Sequence, residues 1–218
     1  MKTFYRRHLP HWQPEGQVFF VTFRLFGSLP KFVLECLKIK RERLHREPPR
    51  ADESPRDKAL RDAKRLFALA DDALAEELHQ SGNDSMHWLD NPEIAGLVQV
   101  AIKIRDGKQY NLHRYVVMPN HVHLLIKPLP IVGRVDNPSY WPLSEIMRGL
   151  KRWTARETNR LLGRTGSFWQ DESFDHCVRE RHEYNRIIRY IDVNPIKAGL
   201  CAEPFQWRWS SAADDANK

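Results

Sequence analysis

Cysteine is scarce in this sequence, and long apolar runs are missing from it. The 218 residues include 3 cysteines, at positions 36, 177 and 201. Because their number is odd and their spacing matches no common metal or disulfide pattern, we expect reduced thiols in a cytoplasmic protein. No stretch approaches the roughly 18 uninterrupted apolar residues that a membrane span requires. The sequence therefore predicts neither a disulfide framework nor a membrane partner.

Acidic residues are outnumbered by basic ones. Lys and Arg total 35 against 28 Asp and Glu, which gives a formal net charge of +7. A basic surface attracts polyanions, through counterion release on nucleic acid or attraction to anionic lipid. Hydrophobic residues at 41% and aromatic residues at 11% are typical of a globular chain. This composition favours a polyanionic partner without selecting one.

Strand and helix patterns alternate along the chain. Four segments are predicted to be strands, because they are rich in Val, Phe and Thr or alternate between apolar and polar residues. They are residues 17–25, 110–118, 121–127 and about 174–178. Apolar residues at helical spacing predict helices over residues 30–46, 58–79, 92–105, 143–162 and 183–193. We expect the last helix to break at Pro195, because proline lacks an amide proton and clashes with the preceding turn. Together these elements predict an α+β fold, with helices over an antiparallel sheet.

The pattern indicates a single domain over residues 1–218. Proline and charge in EPPRADESPRD interrupt regular structure at residues 47–57. Residues 47–90 are therefore interpreted as a helical insertion into that domain, and residues 201–218 as a C-terminal tail.

The sharpest local feature is VVMPNHVHLLI at residues 116–126. Alternate side chains of a strand share one face, so His121 and His123 are expected to project together and can hold one metal ion. In zinc enzymes of unrelated folds, a further histidine completes such a pair. His113 and His176 are the candidates for that third ligand here. The alternative is a pair of histidines on a solvated sheet face, without any ligand.

The segment MPNHVHLLI resembles the histidine–hydrophobic–histidine (HUH) motif of the single-tyrosine, IS200-like transposases. It most resembles the branch associated with repetitive extragenic palindromes (REP). Other segments resemble the same family in the same order: FVTFRLFGSLP (20–30), LSEIMRGLKRWTARETNRLLGRTGSFWQDESFDHCVRE (143–180), YIDVNPIKAGL (190–200) and WRWSSA (207–212).

The resemblance implies a ferredoxin-like HUH nuclease core that cleaves and rejoins single-stranded DNA through a 5′-phosphotyrosine. It implies Mg²⁺ or Mn²⁺ as cofactor and hairpin or palindromic DNA as partner. It also implies a bacterial, nucleoid-associated protein that acts as a monomer or a homodimer.

The last predicted helix carries two tyrosines with different expected roles. Tyr184 shares an apolar stripe with three isoleucines, at i, i+3, i+4, i+7 spacing, and is interpreted as core. Tyr190 falls more than about 90° from the centre of that stripe and is free to face a site. In the family that this sequence resembles, the nucleophile stands four residues before the Asn of Asn-Pro, a position that corresponds to Tyr190. The resemblance likewise implies Asn194 as third metal ligand, and capping of the helix end is the alternative role for Asn194.

A basic run follows the predicted metal strand. On the helix over residues 143–162 it comprises Arg148, Lys151, Arg152 and Arg156. Helical spacing can align these side chains along a DNA backbone, although a solvated face is the commoner meaning of such a run. The metal strand that precedes them in the sequence favours DNA contact. His176 is a further candidate for contact with the nucleophile or a DNA hairpin, with a structural role as the alternative.

Three other functions remain open on the sequence alone. A domesticated relative could bind palindromic hairpins without cutting them. A zinc hydrolase could use the same histidine pair and ignore Tyr190. Replication-initiation and conjugation nucleases share the histidine motif, but they usually place the tyrosine differently or use more than one.

Overall fold

The computed structural model describes residues 4–6, 10–79, 87–131 and 139–217. In chain order the elements are β1 (Phe4–Arg6), β2 (Pro10–Trp12), β3 (Val18–Arg24), α1 (Lys31–Arg46), α2 (Pro55–His79), α3 (Pro92–Lys103), β4 (Tyr110–Val117), β5 (His121–Pro128), α4 (Leu143–Leu161), β6 (Phe174–Val178), α5 (Arg181–Lys197) and α6 (Ser211–Ala216). None of the helices within these ranges is long and apolar enough to cross a membrane.

A four-stranded antiparallel sheet forms the centre of the fold, with strand order β4-β5-β3-β6. β1 and β2 pair separately as a two-stranded antiparallel ribbon. The turn at Pro119 and Asn120 joins β4 to β5, as the sequence predicts for a hairpin. The predicted α+β fold, an antiparallel sheet flanked by helices, is thereby confirmed.

The two faces of the sheet pack against different helices. Phe19, Val21 and Phe23 of β3 lie in one buried cluster with residues of α3 and α4. Phe20, between them in the sequence, lies in a second cluster with residues of α5. Because side chains alternate along a strand, every residue of β3 and β5 is assigned to one of these two layers. We refer to the Phe20 side as the α5 face and the other side as the α4 face.

α5 does not end where the sequence predicts. It continues to Lys197 and contains Pro195 inside the helix, so the predicted break before this proline is wrong. A proline in the last turn forfeits one backbone hydrogen bond, and the following turn is closed by the amides of Ala198 and Leu200, which donate to the carbonyls of Asn194 and Pro195. The C-cap is Ala198. Asn194 therefore lies inside the helix, and the capping role considered for it is excluded.

α2, within the predicted insertion of residues 47–90, packs against the rest of the domain. Its Phe67 and Leu78 lie against the cluster on the α5 face. The side-chain amide of Asn120, in the β4–β5 turn, donates to the carbonyl of Leu74 at 3.0 Å. α2 thus contacts the histidine strand directly, while the domain boundaries themselves stay a prediction.

The C-terminal segment covers the outer edge of β4. The amide of Val117 donates to the carbonyl of Trp209 at 2.9 Å, and the indole of Trp207 donates to the carbonyl of Val117 at 2.9 Å. The amide of Tyr115 donates to the Ser211 hydroxyl at 2.7 Å. Backbone groups that an edge strand would otherwise leave open are therefore satisfied within the chain.

Candidate active site

The histidine pair lies at the start of β5, on the α5 face. His123 stands opposite Thr22 and His121 stands opposite Arg24 in the antiparallel register with β3. Both histidines are fully buried, and their Nε2 atoms are 3.0 Å apart. The expectation that the two side chains share one face of a strand is borne out by this geometry. A solvated surface pair is excluded.

The Nδ1 atoms of both rings are held by neighbours. His121 Nδ1 lies 2.6 Å from Asn120 Oδ1, and His123 Nδ1 lies 2.7 Å from Thr22 Oγ1. Because the Asn120 amide group donates to a backbone carbonyl, its oxygen faces His121 and accepts a hydrogen bond from the Nδ1–H group. The lone pair of His121 therefore resides on Nε2, directed at the second histidine. Partners of this kind orient metal-binding imidazoles in proteins.

Asp71 of α2 supplies a third group. Its Oδ1 lies 3.5 Å from His123 Nε2, and one ligand atom from each of the three residues lies within 4.8 Å of the others. Among the described residues, Asp71 Oδ1 is buried without a hydrogen-bond partner. A buried carboxylate oxygen without a donor, beside two imidazole nitrogens, is an arrangement that a cation satisfies. The donor set therefore fits a divalent metal ion.

Burial sets the charge of these groups. It lowers the pKa of His121 and of His123 to about 3, so both rings are neutral at pH 7, the form that binds metals. Burial also raises the pKa of Asp71. A carboxylate in this position is costly without a nearby positive charge. The buried groups of the site therefore include a carboxylate and two neutral imidazoles, and neither imidazole is protonated to balance the carboxylate.

Tyr190 meets the same carboxylate. Its hydroxyl donates a hydrogen bond to Asp71 Oδ2, and its ring lies 5.3 Å from the His123 ring. Burial, and then the negative charge of Asp71, raise the pKa of Tyr190 well above its usual value, while a hydrogen bond with Asn194 opposes that shift. The Lys197 ammonium lies 5.3 Å from the centre of the phenol ring. Tyr190 is therefore protonated at neutral pH. A cation bound beside Asp71 would lower the pKa of the Tyr190 hydroxyl and so favour its ionisation.

The other tyrosine of α5 lies apart from this cluster. The Tyr184 hydroxyl is 2.6 Å from Nδ1 of His113, at the margin of the core. His113 is thus engaged by Tyr184. His176 pairs with Glu183 at 2.8 Å, and Glu183 also pairs with Lys64. Among the described residues, Asp71 is the acidic group that could hold a metal ion together with the two histidines, whereas His113 and His176 are engaged by other side chains.

The basic residues of α4 lie across the sheet from the histidines. α4 packs on the α4 face through Ile146 and Leu150, whereas His123 stacks on Phe20 of the α5 face. Lys151 is held by the carbonyls of Gln170 and Asp171. Arg148 pairs with Glu145 and Arg156 pairs with Glu157, while Arg152 lines a cleft on this side. Proximity to the metal strand in sequence therefore does not place these side chains beside the metal site, and their contact with DNA stays a prediction.

Four contributors to the site escaped the sequence analysis. Asn120 and Lys197 had local signals, because Asn120 is adjacent to His121 and Lys197 lies seven residues after Tyr190 on the same helix face. Thr22 had none, since only the pairing of β3 with β5 places it opposite His123. Asp71 had none. It is one of several acidic residues on a long charged helix, and only tertiary packing selects it.

A family model described as "Transposase IS200 like" matches residues 85–194. Among curated proteins, the REP-associated tyrosine transposase of Escherichia coli (strain K12) is 26% identical over 110 residues, which cover 50% of this chain and 59% of the relative. An uncharacterized protein of Haemophilus influenzae (strain ATCC 51907 / DSM 11121 / KW20 / Rd) is 27% identical over 105 residues, covering 40% of this chain and 56% of the relative. The matches thus span somewhat more than half the length of these relatives.

A solved structure of the REP-associated tyrosine transposase bound to a REP hairpin has a similar fold. The TM-score is 0.54 at 16% identity, and the match covers 98% of this chain and 85% of the other. This likeness concerns the fold alone. The family model matches half of the chain and includes His121, His123, Tyr190 and Asn194. The protein therefore belongs to the IS200-like transposase family, as the resemblance of its motifs predicted.

Proposed function

We propose that this protein cleaves and rejoins single-stranded DNA at hairpin-associated sites through a 5′-phosphotyrosine on Tyr190. The observation that carries the proposal is the convergence on Asp71. One carboxylate oxygen accepts a hydrogen bond from the Tyr190 hydroxyl, and the other faces the buried histidine pair. A nucleophile and a cation-binding cluster are thereby joined through one side chain, which is the arrangement that phosphoryl transfer to a tyrosine needs.

The reaction is a transesterification with a balanced exchange of bonds. The Tyr190 oxygen forms a bond to the scissile phosphorus, and the bond from that phosphorus to the 3′ oxygen breaks. The phenol proton passes to Asp71, and Asp71 returns one proton through solvent to the departing 3′ oxygen, which becomes a hydroxyl. In the reverse direction a 3′ hydroxyl attacks the phosphotyrosine. Because the adduct retains the phosphodiester energy, rejoining requires no nucleotide cofactor.

The metal-binding residues in this proposal are His121, His123 and Asp71, with Asn194 beside them. Asn194 is buried and hydrogen-bonds the Tyr190 hydroxyl. Two imidazoles with carboxylate and amide oxygens suit Mn²⁺ more than Mg²⁺ on ligand softness. When bound, the ion supplies Lewis-acid polarisation of the phosphate and offsets the charge of Asp71. Thr22 and Asn120 keep the two imidazoles oriented toward it.

We propose hairpin-forming DNA as the substrate, on the basis of the REP-associated relatives. Single-stranded hairpin oligonucleotides are expected to be bound with salt-sensitive affinity and to be cut, whereas fully paired duplex is expected to be cut poorly. For single strands the slope of log K against log salt is about −0.7 per phosphate neutralised. Fluorescence anisotropy over a salt series measures the binding, and denaturing electrophoresis in Mn²⁺ measures the cleavage.

Two outcomes of this experiment would change the assignment. Equal cleavage of duplex and single strand at matched salt contradicts the proposed substrate. Tight hairpin binding with no cleavage in Mn²⁺ or Mg²⁺ assigns the non-cleaving alternative, a palindrome-binding relative.

The charge of the Asp71 side chain can be tested without changing the size of that side chain. Asp71→Asn is expected to lower Mn²⁺ affinity at least tenfold, because it removes a charged ligand. The metal-free variant is expected to be as stable as the wild type or more so, since a buried carboxylate costs free energy. Isothermal titration calorimetry with Mn²⁺ and thermal unfolding in EDTA measure the two effects.

Asp72→Asn is the matched control, because Asp72 is exposed and one residue away on the same helix. It is expected to leave Mn²⁺ affinity close to that of the wild type. If Asp71→Asn also binds Mn²⁺ like the wild type, Asp71 is not a ligand, and the set of His121, His123 and Asn194 is preferred.

A further inference from the structure

A cleft of about 630 Å³ opens beside the candidate active site. Asp71 and Thr22 lie in its wall, so it reaches the cluster that contains Tyr190 and the histidines. The remaining wall comes from α1, α2 and the segment at the start of β6. Pockets of roughly 300–1,000 Å³ commonly hold ligands of about the size of a nucleotide.

Arg24 lies in this cleft on the α5 face, directly across the strand pair from His121. Its guanidinium contacts the Ser28 hydroxyl at 3.4 Å and the Leu25 carbonyl at 3.5 Å. Within the ranges that the structure describes, no carboxylate offsets its charge, and burial lowers the pKa of Arg24 to about 10. It is still charged at neutral pH. A half-buried arginine without a carboxylate partner, next to the candidate metal site, is complementary to a phosphate group.

The floor of the cleft is apolar and aromatic. Phe67 and Phe174 stack with ring centres 4.0 Å apart and planes 14° apart, and Leu34 of α1, which is exposed, also lines the cleft. Aromatic and aliphatic surfaces of this kind stack against nucleobases with little regard to sequence. The floor therefore suits the base of a nucleotide whose phosphate meets Arg24.

The rim of the cleft is more basic than acidic. Lys31, Lys38 and Arg41 line it together with Glu35 and Glu172. Glu35 pairs with Lys38 at 3.6 Å on the exposed surface of α1. With Arg24 included, the basic side chains exceed the acidic ones, even when Asp71 is counted among the latter. This charge favours a polyanion over a neutral apolar ligand.

From these features we infer that the cleft binds one nucleotide of the DNA strand next to the cleaved bond, with the base on the Phe67–Phe174 floor and the phosphate against Arg24. This inference rests on the proposed function. The cleft that α4 lines lies on the other face of the sheet, so it cannot hold the nucleotide beside Tyr190. α1 and α2 then act as a clamp on the substrate strand.

The base site is tested by an abasic scan of the substrate. Fluorescent single-stranded hairpin oligonucleotides carry one abasic site at each successive position of the unpaired flank, and binding is measured in EDTA. Wild type is expected to lose about tenfold or more in affinity at one position, as stacking of one base predicts. Leu34→Glu is expected to lose a similar factor with the intact oligonucleotide and to be insensitive to the abasic site at that position.

Ile39→Glu is the matched control, because Ile39 is exposed on the same helix but does not line the cleft. It changes the net charge equally and is expected to keep the wild-type abasic profile. Both positions are exposed, so thermal unfolding is expected to match the wild type. Arg24→Gln adds a test of the phosphate contact: it is expected to abolish the penalty of one neutral methylphosphonate linkage next to the sensitive base.

The outcomes separate this inference from the proposed function. If Leu34→Glu binds intact oligonucleotide like wild type, or keeps the full abasic penalty, the cleft is not a base site. The inference is then overturned, while Tyr190 adduct formation by the wild type in Mn²⁺ leaves the proposed function standing. A wild type that forms no adduct, but shows the Leu34-dependent abasic profile, contradicts the cleavage chemistry and retains the cleft as a DNA site.

Discussion

Tyr190→Phe is expected to form no covalent adduct with DNA, whereas Tyr184→Phe is expected to form it as the wild type does. The first change removes the hydroxyl that donates a hydrogen bond to Asp71 beside the histidine pair. The second removes only the hydrogen bond to His113, which is worth about 1 kcal/mol of stability. Loss of a nucleophile removes the covalent step altogether.

One denaturing gel with end-labelled hairpin oligonucleotide in Mn²⁺ compares both variants. Mn²⁺ titration and anisotropy show whether Tyr190→Phe still binds metal and DNA, which we expect because its ring remains packed against Phe20. An adduct in Tyr190→Phe would place the nucleophile elsewhere, and Tyr184 would be the next residue to replace.

His123→Ala is expected to lose Mn²⁺ binding and to reduce cleavage by roughly a thousandfold or more. Lewis-acid stabilisation of a phosphoryl transition state is worth several kcal/mol, and about 4 kcal/mol corresponds to that factor. Calorimetry with Mn²⁺ and single-turnover cleavage measure the two losses. DNA binding in EDTA is expected to change little, because His123 is fully buried and does not line the cleft.

The control for this variant is His113→Ala, another histidine on the same sheet. His113 is half-buried and contacts Tyr184, so its removal is expected to leave Mn²⁺ affinity intact. Because His123 stacks on Phe20 and bonds Thr22, its replacement also costs stability. His123→Asn is measured in parallel, below its unfolding temperature, to separate the loss of metal binding from the loss of stability. Wild-type cleavage by a folded His123 variant in Mn²⁺ would exclude the assigned metal site.

The four strands of the central sheet and the helices α1 to α5 follow from local sequence patterns, whereas β1, β2 and α6 are not predicted by them. β5 begins at His121 as predicted, β6 covers Phe174–Val178, and α1 ends at Arg46. Such elements carry periodicity strong enough to read from one sequence. The end of α5 was predicted wrongly, because the cost of Pro195 within a last turn depends on the packing of that turn. Packing is a tertiary property that the proline alone does not reveal.

The site was predictable where its residues share one element and not where they meet across elements. His121 and His123 follow from strand alternation, and Tyr190 was separated from Tyr184 by its angle on the helix. Asp71 is separated from His121 by 50 positions and joins it only because α2 packs on the α5 face. The same limit explains why the position of α4 relative to the site does not follow from the sequence. Its basic residues follow the metal strand in sequence, but a crossover places them behind the sheet.

The C-terminal segment along β4 restricts how two copies of this protein can meet. An open strand edge is a template on which another chain can extend the sheet. At Tyr115 and Val117 that edge is already hydrogen-bonded to residues 207–211 of the same chain. A second copy can extend the sheet there only after this segment is displaced, as in an exchange of tails between subunits. Two copies folded in this way can therefore not join their sheets at this part of β4.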